Sequence, residues 1–493
     1  MTDTAAPHRQ DSGPSTPPPP RSATPAKRRR SRIAVTAAAV LLTALTAVVV
    51  DTLNAGDNLS NPGRLLAGYA VAWALFAAAA WTVRRAPARA ATVLVLLGAA
   101  AVALAGLATQ PRTSNDMYRY AWDGRVQAAG ISPYAYPPAA PELAPLRDNW
   151  LFPSGPTCEG WALTHTDSGL CVSINRPTVP TIYPPVTEGW YLAVHAVSPP
   201  DSRHKPLQVG GAVLAFGTTV VLLDVLRRRG DPERAPARAA LWAWCPAAAF
   251  EAVSNAHIDT LGVLFAVLAL GTTTAGARSG ALLGAAVAVK ILPVLALPGA
   301  LSGQRDPARV LRVLACTVAA VALAYLPYVL ASGTGVLGYL PGYLHEEGYD
   351  PDHVRRFALL RLLLPNAAAG ATAAVLLALT ALYVWWRGDP ARPWRGALLL
   401  TGTALLLFSP SYPWYSLLVI AFVALDGRWE WLTVTLAGTV LFLAGRLLPG
   451  FPLQAWAYGV AALVVTAGAW LRSGRAPRRV RGFAPAGPTA RLR

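Results

Sequence analysis

The chain has 493 residues, of which 54% are hydrophobic and 14% charged, against about a quarter charged in a typical soluble domain. That balance excludes an ordinary soluble enzyme. The net charge of +18, from 43 Lys and Arg against 25 Asp and Glu, sits in arginine groups at the ends of apolar runs and at both termini. Such placement marks membrane topology rather than a nucleic-acid surface.

Residues 1–32 are rich in Pro, Ser and Thr and end in Lys27, Arg28, Arg29, Arg30 and Arg32, so they are expected to form a disordered basic cytoplasmic tail. The apolar run from Ile33 to Val50 follows. Its basic region is too remote from the N-terminus for a signal peptide, and no small-residue cleavage site follows it, so it is read as a membrane helix. Further runs near 65–83, 90–109, 207–226, 239–254, 258–275, 310–330, 366–386, 394–409, 411–425, 431–448 and 453–471 bring the total to twelve, each near the roughly 20 residues that cross a bilayer. Twelve crossings return the C-terminus to the side of the N-terminus. Segment 472–493, with Arg472, Arg475, Arg478, Arg479 and Arg481, then reads as a second basic cytoplasmic tail, and the Arg-rich links 84–89, 227–238, 305–312 and 387–395 also fall inside. Residues 279–301 are long enough to cross, but crossing would put Arg305 and Arg309 outside. They are predicted to be a re-entrant helix pair turning near Lys290 and Pro293, allowed only where protein or water lines the break. The fold class is therefore all-α and polytopic, a membrane body over 33–471 with large external loops at 110–205 and 332–365. Loops of such length are usually functional, and no internal repeat of the kind common in transporters is visible.

Of the four cysteines, Cys245 and Cys316 lie in apolar runs, while Cys158 and Cys171 lie 13 positions apart in the first external loop. The latter two are expected to pair, since an oxidising exterior permits it and closing so short a loop contributes about 3 kcal/mol in the chain-entropy model. No Cys/His spacing suggests zinc.

Ionisable residues at membrane spans need a partner or a function. After the third span come Asn115, Asp116, Arg119, Asp123 and Arg125, interleaved with Tyr118, Tyr120, Trp122, Tyr134 and Tyr136. A carboxylate can accept a hydroxyl proton, arginine can grip phosphate in a bidentate pair, and aromatic faces can pack on sugar CH groups. The aromatics taken singly also fit an interfacial belt. Later in the loop, Arg176, Tyr183 and Glu188 stand among Pro177, Pro180, Pro184 and Pro185, which are read as forbidding a regular helix. The turn carrying Asn255, His257 and Asp259, with Glu251 one turn earlier, could hold a metal or orient a donor. Lys290, an ammonium in an apolar run, suits a lipid phosphate. The charges of the second external loop, His345, Glu346, Glu347, Asp350, Asp352, His353, Arg355 and Arg356, are expected to be mostly solvated. Tyr412, Trp414 and Tyr415 read equally as belt or as a lipid or sugar platform.

Taken together, the motif from Ser114 to Arg125, the turn Asn255–Asp259, the segment around Lys290 and the stretch holding Tyr412 to Tyr415 resemble the GT-C superfamily. More narrowly they resemble the family-87 and related polyprenyl-phosphate-mannose-dependent mannosyltransferases of actinobacteria, over about residues 33–471. The resemblance implies a plasma-membrane enzyme working at its outer face with an essential acid at Asp116. It also implies a polyprenyl-phosphate sugar donor and favours mannose, but does not fix the acceptor, which could be a glycolipid or polysaccharide of the cell envelope, a lipoglycan or a protein; no nucleic-acid partner is expected. On that reading Lys290, Arg119 and Arg176 hold the donor phosphate, and Asn115, Tyr118, Trp122, Asp123, Arg125, Tyr183, His257, Asp259 and Trp414 contact substrate. Many GT-C enzymes carry paired acids where this chain has Asn115 before Asp116, so no metal or other cofactor is expected. A transporter or lipid-linked-sugar flippase is the rival class, for which functional groups should lie near the bilayer midplane instead of at one face.

Overall fold

A computed structural model describes residues 25–155, 158–272, 276–349 and 355–473, without the side chains of Lys27 and Arg28. The tail up to residue 24, Asp350, Asp352, His353 and the arginines beyond Arg472 lie outside the described residues.

Every predicted apolar run is helical. In chain order the helices are α1 (Pro25–Asn54), α2 (Pro62–Val83), α3 (Ala88–Gly106), α4 (Asp116–Ala128), α5 (Pro185–Val197), α6 (Lys205–Arg229), α7 (Ala235–Ala243), α8 (Asp259–Gly271) and α9 (Ala277–Val289). They continue as α10 (Leu297–Ala300), α11 (Pro307–Ser332), α12 (Leu340–Glu346), α13 (Asn366–Arg387), α14 (Pro393–Phe408), α15 (Leu417–Asp426), α16 (Leu432–Ala444) and α17 (Leu453–Ser473). Among them α1, α2, α3, α6, α11, α13 and α17 are long and apolar enough to span a membrane, and a π-helical turn (Ala248–Ser254) with α8, bent by 111°, makes an eighth candidate. Two expectations change. Helix α1 starts at Pro25, so the basic residues up to Arg32 extend the first span instead of ending a disordered tail. Pro185 opens α5 as its first residue, with Pro184 as N-cap, because proline lacks only an N–H that the first helical turn leaves unbonded anyway. The prolines thus start a regular helix instead of forbidding one.

The predicted break near Lys290 is present. Helix α9 stops at Val289, Lys290 is extended (φ −159°, ψ 146°), and a 3₁₀ turn over Leu292–Ala296 leads into the single turn of α10. Helix α9 is packed closely against α11 through Gly280 and Gly284. A Cβ on either would stand 2.4 Å from a carbonyl oxygen of α11, that of Val313 or Thr317, and Thr317 Oγ1 donates to the Gly280 carbonyl at 3.0 Å. This small-xxx-small spacing is how membrane helices approach closely where no hydrophobic effect drives them together.

The large loop over 110–205 has a core of its own. Met117, Trp122 and Val126 of α4 pack with Leu143, Leu151, Phe152, Val172, Ile174 and Tyr191. Cys158 and Cys171 are disulfide-bonded with Cα atoms 5.6 Å apart, beside a two-stranded antiparallel ladder that pairs Thr164 with Val172 and His165 with Cys171. The loop docks on the helices where Thr187 Oγ1 of α5 donates to the Val289 carbonyl at 2.6 Å, satisfying an acceptor at the end of α9.

Substituting Gly284→Leu should cost about 1–3 kcal/mol by forcing α9 and α11 apart. Thermal melting in detergent checks this against Gly217→Leu, where an added Cβ meets no described atom within 4 Å and the midpoint should hold.

Candidate active site

Asp116 is the first residue of α4, set there as the chain leaves α3 and turns through Arg112 to Asn115. Its Oδ1 accepts a hydrogen bond from Asn175 Nδ2 at 2.5 Å, and its Oδ2 lies 3.8 Å from Nδ1 of His257. The imidazole is fully buried, stacked on Trp414 with centroids 3.9 Å apart, and its Nε2 lies 3.4 Å from Glu251 Oε2. Asn255 Nδ2 donates to the same Glu251 carboxylate at 3.0 Å and to Thr113 Oγ1 at 2.8 Å. Neither ring nitrogen of His257 has a hydrogen-bond partner.

These groups come from a stretch of unusual backbone. Glu251 rides on the π turn, the His257 N–H donates to the Glu251 carbonyl at 2.9 Å, and Ala256 is left-handed at φ +52°. Single π turns and left-handed non-glycine residues recur at functional sites because only a surrounding structure that over-determines them keeps them in place. Two residues on, Asp259 opens α8 and its Oδ2 receives Lys290 Nζ at 2.7 Å. The ammonium also lies 4.8 Å over the Tyr415 ring, whose hydroxyl is hydrogen-bonded to that of Tyr343. The Tyr343 ring in turn lies under the Arg176 guanidinium at 5.2 Å. Arg176, left-handed at φ +46°, pairs with Glu346 at 2.7 Å, and Tyr339 donates to that carboxylate. Asp116, Arg176, His257, Asp259, Lys290 and Trp414, drawn from five places in the chain, thus form one connected cluster.

Other expected site residues are committed elsewhere. Arg119 is 3% exposed; its Nε bonds both oxygens of Asp123, and its Nη1 donates to the Arg176 and Val179 carbonyls. It ties α4 to the loop, and its buried Nη2 has no hydrogen-bond partner among the described residues. Asp123 is accordingly its counter-ion, and Trp122 is buried against Phe152. Tyr118 packs edge-on against Trp150. Tyr183 meets Tyr120 edge-on, its carbonyl accepting from the Tyr134 hydroxyl. Arg125 pairs with Asp148 at 2.6 Å. Asn115 is the N-cap residue of α4, with no cap bond from its side chain. In the second loop Glu347 and Arg356 form a buried ion pair, not a solvated one. Among the described residues no three His, Cys, Asp or Glu side chains converge in a metal-ligating group.

Beside Asp123 lies Glu188 of α5, fully buried, accepting from Thr181 Oγ1 and Gln127 Nε2 at 2.9 Å each. Burial pushes both carboxyls upward. Arg119 pulls Asp123 back down, whereas the Asp123 charge pushes Glu188 further up. A folded-state pKa raised above the unfolded one means stability that is full below the usual glutamate range, about 4.3, and lost as pH rises toward the raised value. Melting midpoints of the wild type should therefore fall across that window relative to Glu188→Gln. Asp123→Ala should instead cost about 3–5 kcal/mol at neutral pH by stranding Arg119.

The helix ends opposite this cluster carry the arginines. Arg229 Nη1 donates to the Leu270 and Thr272 carbonyls at 2.6 Å each, its Nη2 reaches the Ala391 carbonyl, and Arg227 donates to Thr92. Helix α8 thus has Asp259 at the cluster and its other end among basic groups, and α3 runs from Thr92 beside Arg227 to Gly106 beside Val253 of the π turn.

Residues 182–410 match the family model described as Glycosyltransferase family 87. The matched segment contains Tyr183, Glu251, His257, Asp259, Lys290 and Glu346, while Asp116, Arg119 and Arg176 precede it. No curated protein and no solved structure matches the chain. Over just under half of its length, on an all-α, multi-pass membrane fold, the chain is thus similar to glycosyltransferase family 87.

Proposed function

We propose that the protein transfers mannose from a polyprenyl-phosphate donor to a glycolipid or polysaccharide of the cell envelope, with inversion, at the extracytoplasmic face of the plasma membrane and with both termini cytoplasmic. The observation that carries the reading is the convergence of the Asp116 carboxylate with two cations, Lys290 and Arg176, in one cluster. The separation of that cluster from the arginine-bearing helix ends supports the sidedness.

Asn175 occupies Oδ1 of Asp116, which leaves Oδ2 to take the proton of the acceptor hydroxyl. The oxygen so activated attacks the anomeric carbon from the face opposite the lipid phosphate. The bond from that carbon to the phosphate oxygen breaks, and its electron pair leaves with the polyprenyl phosphate. Lys290 has ammonium protons beyond the one it gives Asp259, and with Arg176 it stabilises the departing charge. Asp259 and Glu346 hold the two cations in place before the donor arrives. His257, wedged between Glu251 and Asp116, fixes the far side of the base. No step is routed through a metal.

Membranes holding Asp116→Asn, at protein levels equal to wild type, should transfer radiolabelled mannose from polyprenyl-phosphate-mannose about 10²–10⁴-fold more slowly. Lys290→Gln should chiefly raise the KM for that donor, and EDTA should leave the wild-type rate unchanged. Full activity in Asp116→Asn would refute the base assignment; a wild type that moves no mannose would refute the donor.

A further inference from the structure

A cavity of about 500 Å³ lies against the other side of the first external loop. Its walls come from α4, the turn after Leu146, the C-terminal half of α5, the link from Ser198 to Arg203 and the start of α6. Nothing in the proposed transfer step uses it. It shares α4 with the site: Tyr120 and Arg125, both on its wall, follow Asp116 by four and nine residues, or about 6 and 14 Å of helix rise.

Its lining combines flat apolar faces with hydroxyl-binding groups. Tyr120 and Tyr191 are stacked with centroids 4.5 Å apart, and Trp150 stands beside them. The Tyr191 side chain is buried, and its hydroxyl has no hydrogen-bond partner. Arg125, Asp148, Asn149 and His195 supply donors and acceptors. The charges cancel, Arg125 against Asp148 in an ion pair and Arg203 against Asp201 on the rim. Burial, helped by the Arg125 charge, lowers the His195 pKa and keeps that ring neutral near pH 7. A phosphate would meet no excess positive charge here. A neutral polyol would find aromatic faces for its CH groups and amide, carboxylate and guanidinium partners for its hydroxyls.

We propose that this cavity is the docking subsite for neutral sugar units of the acceptor that precede the reacting one. The proposal rests on the transferase reading above. A saccharide seated between Tyr120 and Arg125 extends along α4 toward Asp116 and presents its next unit to the carboxylate. The cavity thereby selects for oligosaccharide acceptors over single sugars.

The test uses the full chain in nanodiscs, titrated with a mannose trisaccharide and with methyl mannoside, binding being read by saturation-transfer NMR. The wild type should bind the trisaccharide at least about tenfold more tightly than the monosaccharide. Ala121→Trp, which fills the cavity from α4, should abolish that preference, and Asn149→Ala, at the exposed rim, should weaken trisaccharide binding about three- to tenfold. Asn149→Ala decides alone if the tryptophan variant does not fold. Equal affinity of the wild type for both sugars, or unchanged trisaccharide binding in the folded variants, would overturn the proposal. Mannose transfer on the same samples separates the two readings. Trisaccharide bound yet not mannosylated keeps the cavity and removes the donor assignment. Trisaccharide mannosylated but bound equally by wild type and variants does the reverse.

Discussion

An ammonium at the end of an apolar helix must find an anion, and here the anion is the first residue of a neighbouring helix. The Lys290–Asp259 pair closes the gap between the end of α9 and the start of α8. Broken helices leave backbone groups unbonded, and inside a membrane protein those must be satisfied by other protein groups. Thr187 serves the Val289 carbonyl, which brings α5 and with it the external loop to the break. The π turn completes the join on the α8 side and sets Glu251, Asn255 and His257 in register with Asp116. The cluster is thus a product of where helices end.

Much of this was legible because membrane sequences make polar residues conspicuous. Lys290, His257, Asp259 and Asp116 stood out against apolar surroundings or at their edges, and they meet in space. The helices were equally plain from hydropathy, although the Lys290 break depended on charge balance between flanking links. Less was readable inside the external loop, where polarity is ordinary and burial is invisible. Arg119 and Asp123 look like substrate groups but neutralise each other. Their separation of four residues on a helix is the signal that identifies the pair. Asn175, the partner of Asp116, is a neutral residue 59 positions away and gives no sign of its role. In the second loop His345, Glu346 and Arg355 are exposed as expected, but Glu346 also reaches Arg176 across 170 positions, and Glu347 buries with Arg356, for a similar reason.

The external loop is better regarded as a small domain tied to the membrane body at several points than as a connection. It has its own aromatic core, a disulfide and a buried carboxyl pair, and it contacts the body through Thr187, Gln208 and the Arg176–Glu346 pair. Gln208 at the base of α6 donates to the Thr109 and Ser254 carbonyls, so the loop's entry, its exit and the π turn are fastened to one another. Asp116 and Arg176 therefore belong to the loop and Lys290 to the membrane body, and a handful of polar contacts sets their alignment.

Helix α11 is fastened differently. Its close contacts run along one stripe against Gly280 and Gly284, and only Val313 and Thr317 of its own residues are buried, while Leu311, Val318, Leu323 and Leu330 are exposed. Lipid chains are the natural solvent for those faces. A helix with protein on one side and acyl chains on the others takes its lean partly from the thickness of the bilayer, because hydrophobic mismatch is relieved by tilt. Since α11 rests on α9, and α9 ends at Lys290, a tilt of α11 set by membrane thickness would be felt by the helix that leads to Lys290.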